Sequence, residues 1–187
     1  MARHATQQRL ILVDIGSSDA ERNSLIYRIF PKSFIVQVDI GGVRHGIRAN
    51  VVELPIRNES VDMVISRVAM PYMNNVRAFS EIHRILRPDG TAIIQTHAVW
   101  HYVKMFCTGI VRKPRNSAYA AAVVLNTVSL RLFNWYPTSF SHIYHSKALI
   151  RQLTAKGFTL KHFQHRPFSP TILFELTKVD RRRLSMP

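Results

Sequence analysis

Two apolar runs near the start of the chain end in residues suited to holding a nucleotide. Leu10 to Val13 leads into Asp14-Ile15-Gly16-Ser17-Ser18-Asp19-Ala20, and Phe34-Ile35-Val36-Gln37-Val38 ends in Asp39. A strand that carries a glycine loop on its C-terminal end places it where open α/β sheets collect ligands. Ser18 and Glu21 have capping-box spacing, which predicts a helix start at Ser18 with free N–H groups aimed into the loop. Asp39, at the tip of the second strand, can accept hydrogen bonds from both hydroxyls of a ribose. Loop and acid together point to an adenosine-containing cofactor. By themselves they fit NAD as well as S-adenosylmethionine.

Nine histidines add further candidates. His97 and His101 are four apart, while His142/His145 and His162/His165 are three apart. Such spacing can bring two imidazoles to one metal, but no fixed third ligand accompanies any pair, so no metal is assigned. His97 is expected to leave a strand on the cofactor side of the sheet. An imidazole that titrates near neutrality can take a proton from a hydroxyl, which makes His97 and His101 the candidate catalytic bases. Tyr72, Tyr102 and Tyr144 have similar standing.

Hydrophobic periodicity supplies the elements that must position these groups. It predicts strands at 9–15, 34–39, 50–53, 61–66 and 91–97, helices at 18–29 and 75–86, and a short turn or helix at 41–48. Helix 146–156 and strands 158–164 and 171–177 complete the pattern, with Gly157 as a helix stop. Alternating strands and helices imply a doubly wound α/β domain, a parallel sheet covered on both faces. Residues 99–141 stand outside that plan as a lid-like insertion after the fifth strand. Within it Ala121, Val124, Leu125, Val128, Leu132 and Trp135 recur at helical spacing, a stripe expected to pack as core or lid.

The middle of the chain narrows the choice of cofactor. Glu53-Leu54-Pro55-Ile56, then Ser60-Val61-Asp62-Met63-Val64, then Glu81-Ile82-His83-Arg84-Ile85-Leu86-Arg87-Pro88-Asp89-Gly90 fall in order. They resemble the class I S-adenosylmethionine-dependent methyltransferases, in the small type 11-like branch with L-P-F, S-F-D-x-V and E-x-x-R-V-L-K-P-G-G. The resemblance covers roughly residues 10 to 98. It implies a Rossmann-like, mostly parallel sheet with an antiparallel last strand, and S-adenosylmethionine as cofactor. It places Asp14 and Gly16 at the methionine end of that cofactor, Asp39 on its ribose, and Asn50 and Val51 at the adenine edge. Ser66 and Arg67 fall beside the transferred methyl. Ser18 and Ala20 stand where the family has glycines; both are small, so the loop is expected to remain competent, with Ser18 among the cofactor contacts. Arg87-Pro88-Asp89-Gly90 keeps the Pro and last Gly of the family turn.

Composition bounds the rest. At 187 residues, a single domain over 1–187 is expected. Lone Cys107 excludes an internal disulfide and fits a reducing, cytoplasmic compartment. With the first strand starting at about residue 9, no signal peptide of ordinary length is expected before it. No apolar run reaches the roughly 18 residues of a spanning helix. Residues 1–100 hold 12 Lys+Arg and 9 Asp+Glu, whereas residues 101–187 hold 14 and 2. No acid at all lies between His101 and Phe174. That half should attract anions. The expected acceptor is small or lipid-like, and the field admits an anionic one and a peripheral position on an anionic membrane. The same field admits two alternatives: an RNA methyltransferase, and a noncatalytic methyltransferase-fold scaffold in a basic, ribosome-like complex.

Overall fold

In β1 (Ile11–Ile15) every second side chain turns to the same face: Val13 and Ile15 enter one buried cluster, Leu12 the other. That two-sided burial is what a central parallel strand requires. The protein, a computed structural model that describes residues 9–17, 25–138, 140–155 and 157–180, builds a seven-stranded sheet around it. The other strands are β2 (Phe34–Asp39), β3 (Ile47–Arg48), β4 (Val61–Arg67), β5 (Leu86–His97), β6 (Phe158–His165) and β7 (Thr171–Lys178). Their order is β3-β2-β1-β4-β5-β7-β6. The pairs from β3 to β5 are parallel, and β7 runs antiparallel to both β5 and β6. The doubly wound fold with an antiparallel last strand is therefore as expected.

Helix α2 (Asn75–Ile85) buries Ala78, Phe79, Ile82 and Ile85, one face at helical spacing, on the Val13/Ile15 side. Large side chains so buried contribute roughly 1.5–3 kcal/mol each. Asn74 caps it by accepting from the Arg77 N–H at 3.2 Å. Ile150 of α5 (Lys147–Thr154) joins the same cluster. The opposite face holds Leu12, Ile65 and Ile26, the last from α1 (Leu25–Ile29). The predicted helix start at Ser18 lies outside the described residues.

Two motif segments turn out to be clamps. Glu81 accepts from the Leu54 N–H at 2.9 Å and from Arg84, whose guanidinium also reaches the Leu54 and Ile56 carbonyls. The Arg84 hydrogen bond, ahead of the burial that opposes it, holds the Glu81 carboxyl below its usual range. Asp62 accepts from the Ile11 N–H at 2.7 Å and from Arg87 at 2.6 Å.

Three predicted elements move. Strand 50–53 is a turn, and the third strand is instead the two-residue β3 inside the segment expected as turn or helix. Strand five starts at Leu86 and not 91, because Arg87 to Gly90 bulge out: the partners of Val61 and Met63 are Leu86 and Thr91. Asp89 sits there at φ 61°. Residues 99–133 form a helical hairpin, α3 (Val99–Arg112) and α4 (Pro114–Phe133). Its buried face is Ala120, Val123, Asn126, Thr127 and Leu130, so the stripe expected to be packed points outward.

Candidate active site

The C-terminal ends of the parallel strands open on a cavity of about 450 Å³, at the switch point where the chain leaves β1 for β2 on one side and β4 on the other. Gly16 follows β1 at φ 75°, and a Cβ there would collide with the Ala69 side chain. Backbone and space both demand glycine. Ala69 is swung into place by Val68, which adopts φ 60°, a conformation unfavourable for a β-branched residue. The N–H groups of Gly16 and Ser17 donate to the Val38 carbonyl at 2.8 and 3.4 Å. Buried Ser17 Oγ accepts from Gln37 Nε2 at 2.6 Å. The loop is thus strapped to β2, and its first two N–H groups are engaged there.

Asp39 forms the cavity wall at the end of β2, its Oδ1 accepting from the Gly41 N–H at 2.7 Å. Ala49, Asn50, Val51 and Val52 continue that wall. Asn50 Oδ1 accepts from the Val52 N–H at 3.2 Å, so the turn takes one lone pair of the amide oxygen that the sequence offered to an adenine. Asp14 lies behind the wall: it is buried, and Arg67 Nη2 from the end of β4 donates to its Oδ2 at 3.2 Å. Ser66 is likewise buried and off the lining. Ser18 lies outside the described residues.

Across the cavity stands Tyr72, at the end of the 3-10 turn Met70–Tyr72. Its hydroxyl is 3.1 Å from His97 Nε2. His97 in turn stacks on His101, with centroids 3.8 Å apart and planes 7° from parallel. His142 meets the Tyr72 ring edge-on at 5.4 Å and places Nδ1 3.0 Å from the Tyr119 hydroxyl. The two predicted histidines therefore reach the cavity through a tyrosine.

Residues 141–145 sew this side together. The Ile143 N–H donates to the Pro71 carbonyl and the His145 N–H to the His97 carbonyl, at 3.1 and 3.3 Å. The buried His145 ring bridges Thr96 Oγ1 at 2.9 Å and Asn75 Oδ1 at 2.8 Å. Asn75 Nδ2 then donates to the Met70 and Met73 carbonyls, both at 2.9 Å. The end of β5, the start of α2 and the 3-10 turn are one connected unit.

Burial sets the protonation of the cluster. It lowers His97 to about 4, helped by repulsion from His101 and opposed by the nearby Pro170 carbonyl. It lowers His145 to about 3, again with a contribution from His97. His101 and His142 are pushed down by burial, while Tyr72 is pushed up and Tyr119 reaches about 12. At neutral pH the imidazoles are neutral and the phenols protonated.

Of the residues singled out from sequence, Gly16, Asp39, Asn50, Val51 and Tyr72 meet in the cavity. Ala69, Met73, Asn74, Arg77 and Ser141 line it too and were not anticipated. The first four lie between the end of β4 and the first turn of α2, and that position was their available signal. Ser141 is brought from a distant segment by the bonds at Ile143 and His145, which leave no sequence signature.

A family profile described as methyltransferase domain matches residues 8–94. Malonyl-[acyl-carrier protein] O-methyltransferase of Methylovorus sp. (strain MP688) is 37% identical over 54 residues, 28% of this chain and 18% of that protein. Its namesake from Hahella chejuensis (strain KCTC 2396) is 27% identical over 99 residues, 46% of this chain and 36% of that protein. The chain thus matches well under two thirds of the length of these relatives. Among solved structures, geranyl diphosphate C-methyltransferase from Streptomyces coelicolor A3(2), in complex with Mg2+, geranyl diphosphate and S-adenosyl-L-homocysteine, superposes with a TM-score of 0.60. That overlap covers 91% of this chain and 71% of that one at 12% identity, a likeness of fold.

Proposed function

Starting from a chain that carries a methyltransferase domain of the class I, S-adenosylmethionine-dependent family, we propose that the protein transfers a methyl group from S-adenosylmethionine to a small or lipid-like acceptor, anionic ones included. A cavity of about 450 Å³ is of ligand size. Its chemistry fits the cofactor: a carboxylate at Asp39 for the ribose hydroxyls, an apolar wall at Ala49, Val51 and Val52 for a base, and a side-chain-free surface at Gly16. Asn50 keeps a second lone pair for the base edge. Asp14 acts from behind the wall by fixing Arg67.

When bound, the cofactor supplies a methyl group on a positively charged sulfur. Alignment of the acceptor atom against that methyl provides much of the catalysis. This chain's part is to hold the acceptor between Tyr72, Asn74, Arg77 and Ser141. A hydroxyl acceptor must also lose a proton, and His97 Nε2, neutral at pH 7, takes it through the Tyr72 hydroxyl. Burial, with a smaller contribution from His101, which stacks on it, holds His97 at about 4, so the proton it accepts is not retained at neutral pH.

The observation that carries this reading is the 3.1 Å hydrogen bond between the hydroxyl of Tyr72, a wall of the cavity, and His97 Nε2. Titration calorimetry with S-adenosylmethionine and S-adenosylhomocysteine tests its first half: micromolar affinity is expected, and no heat at millimolar ligand would leave only the scaffold reading. The strongly basic second half of the chain favours one competing acceptor, RNA. A steep fall of RNA affinity with salt, in the presence of cofactor, would select it.

A further inference from the structure

The α3–α4 hairpin presents an apolar surface that the fold does not use. On α3, Val99, Val103, Phe106 and Ile110 are exposed at positions that share one helix face. On α4, Ala121, Leu125, Val128, Leu132 and the following Trp135 do the same, with Leu125 52% and Leu132 66% exposed. Phe106, Val124, Leu125 and Val128 are among the side chains that line a shared groove of about 490 Å³. Trp100 extends the patch to the β6–β7 turn by meeting Phe168 edge-on at 5.2 Å.

The hairpin is fixed in this orientation. Asn126 Nδ2 donates to the Phe140 and His142 carbonyls at 2.8 and 3.1 Å, and Thr127 Oγ1 accepts from the Tyr144 N–H at 3.0 Å. Those polar bonds tie the inner face of α4 to the residues beside Tyr72. Gly109 lets the two helices close on each other at Ser117, where a Cβ would not fit. Rotation of the stripes into the protein would break all of these.

Charge identifies the occupant. Lys104, Lys113, Arg115 and Arg131 are exposed on the same two helices or at the turn between them, and no acid occurs from His101 to Phe174. We propose that the hairpin is a docking surface for an anionic lipid bilayer, its apolar stripes entering the acyl boundary while the basic side chains reach the headgroups. Contiguous apolar surface of this kind marks an interaction site. A polyanion such as RNA would satisfy the charges and leave the Val, Leu and Ile stripes unexplained. None of the helices among the described residues is long and apolar enough to cross a membrane, so the mode is peripheral. The surface is independent of which atom is methylated.

The chain's two tryptophans, Trp100 and Trp135, both lie on this patch and are 38% and 61% exposed, so they report on it directly. The full chain is mixed with vesicles of phosphatidylcholine alone or with phosphatidylglycerol making up roughly a third of the lipid, each with and without brominated acyl chains. Cosedimentation at least tenfold stronger on the anionic vesicles, with tryptophan quenching by the brominated chains, is expected. Lys104→Ala/Lys113→Ala/Arg115→Ala/Arg131→Ala should reduce anionic binding at least tenfold, and Leu125→Ser/Leu132→Ser should abolish quenching. Both variants touch only exposed side chains and should keep wild-type melting temperatures. Binding without quenching, or RNA binding with vesicle binding absent, overturns the proposal. So does a dimer in sedimentation equilibrium that Leu125→Ser/Leu132→Ser dissociates and that does not bind vesicles.

Discussion

The strand-rich region up to His97 and the hairpin after it solve opposite problems. In the first, acids and bases answer each other: Asp14 with Arg67, Asp62 with Arg87, Glu81 with Arg84. Its apolar side chains alternate into two buried clusters. In the second, basic residues have no acid within the same stretch, and the regular apolar stripe faces outward. A region that pairs acids with bases inside itself and buries its alternating side chains in two clusters is explained by its own fold. One whose charges and apolar faces are both left unmatched is shaped by something outside it.

Acid is the strongest way to break that division, because histidines join the two regions. His145, from the return segment of the hairpin, bonds Thr96 and Asn75, and His97 meets Tyr72. Both rings ionise less readily folded than unfolded, with values of about 4 for His97 and about 3 for His145 against an ordinary 6.5. The unfolded chain therefore binds more protons below 6.5, and stability that is fully present above that pH drains away as pH falls toward 4. Each tenfold difference in proton affinity between the folded and unfolded chain is about 1.4 kcal/mol, so the loss should reach several kcal/mol. Most of it belongs to the buried His145, since water near the less enclosed His97 discounts that ring's share. Melting curves from about pH 8.5 down to about 4.5 should show a flat Tm above neutrality and a steep fall below 6.5. A Tm independent of pH would mean that these rings are solvated and do not hold the regions together.

Within the first region Gly16→Val should do the most harm. It places a β-branched residue at φ 75° and a Cβ against Ala69. Strain of this kind costs about 1–3 kcal/mol before the clash is counted. Cofactor affinity in calorimetry should fall at least a hundredfold, while vesicle binding through the hairpin stays at the wild-type level. Loss of both together would show that the two regions are not separable.

Asp39→Ala is the gentler version. A hydrogen bond to a charged group contributes about 1.5–3 kcal/mol, so affinity for S-adenosylmethionine should drop at least tenfold with little change in melting temperature. Unchanged affinity would remove Asp39 from the site and leave Gly16 as the only tested cofactor contact.

How much of this was legible follows from range. The β1 and β2 tips, Gly16 and Asp39, were readable because strand, loop and acid are contiguous in sequence. The acid and base of Glu81 and Arg84 were readable as a motif, but their structural use, holding Leu54 and Ile56, was visible only once the loop was seen against α2. Strand 50–53 was misplaced because Asn50 and Val52 form a side-chain-to-backbone turn that apolar periodicity cannot register. The α4 stripe at Leu125 and Leu132 showed the right period and the wrong side, since the inner face uses Asn126 and Thr127, polar residues bonded to the return segment. Val68 gave no hint of its left-handed backbone, because nothing about valine favours it. Apart from the local, exposed Asn50–Val52 turn, the misses involve a contact between segments far apart in the chain or a polar group buried by pairing.

The smallest expected effect probes the seam between the regions. Tyr72→Phe keeps the ring and its edge contact with His142 but removes the hydroxyl 3.1 Å from His97 Nε2. Tyr72 is 48% exposed, so no buried group is left without water, and the stability change should stay near or below about 1 kcal/mol. Cofactor affinity should move less than about twofold, because Tyr72 contributes a ring to the wall and the hydroxyl serves His97. The readout that matters is the His97 ring itself, followed by proton NMR as pH is lowered. In the wild type it should remain neutral down to about 4. In the variant water enters beside Nε2, the desolvation that depresses the ring weakens, and the titration should move upward toward the ordinary imidazole value. With a hydroxyl acceptor, methyl transfer should slow without a change in cofactor binding, since the path for the proton has been cut. If the titration does not move, Tyr72 and His97 are neighbours in the fold without a shared proton, and the catalytic link between cavity and histidine stack is gone.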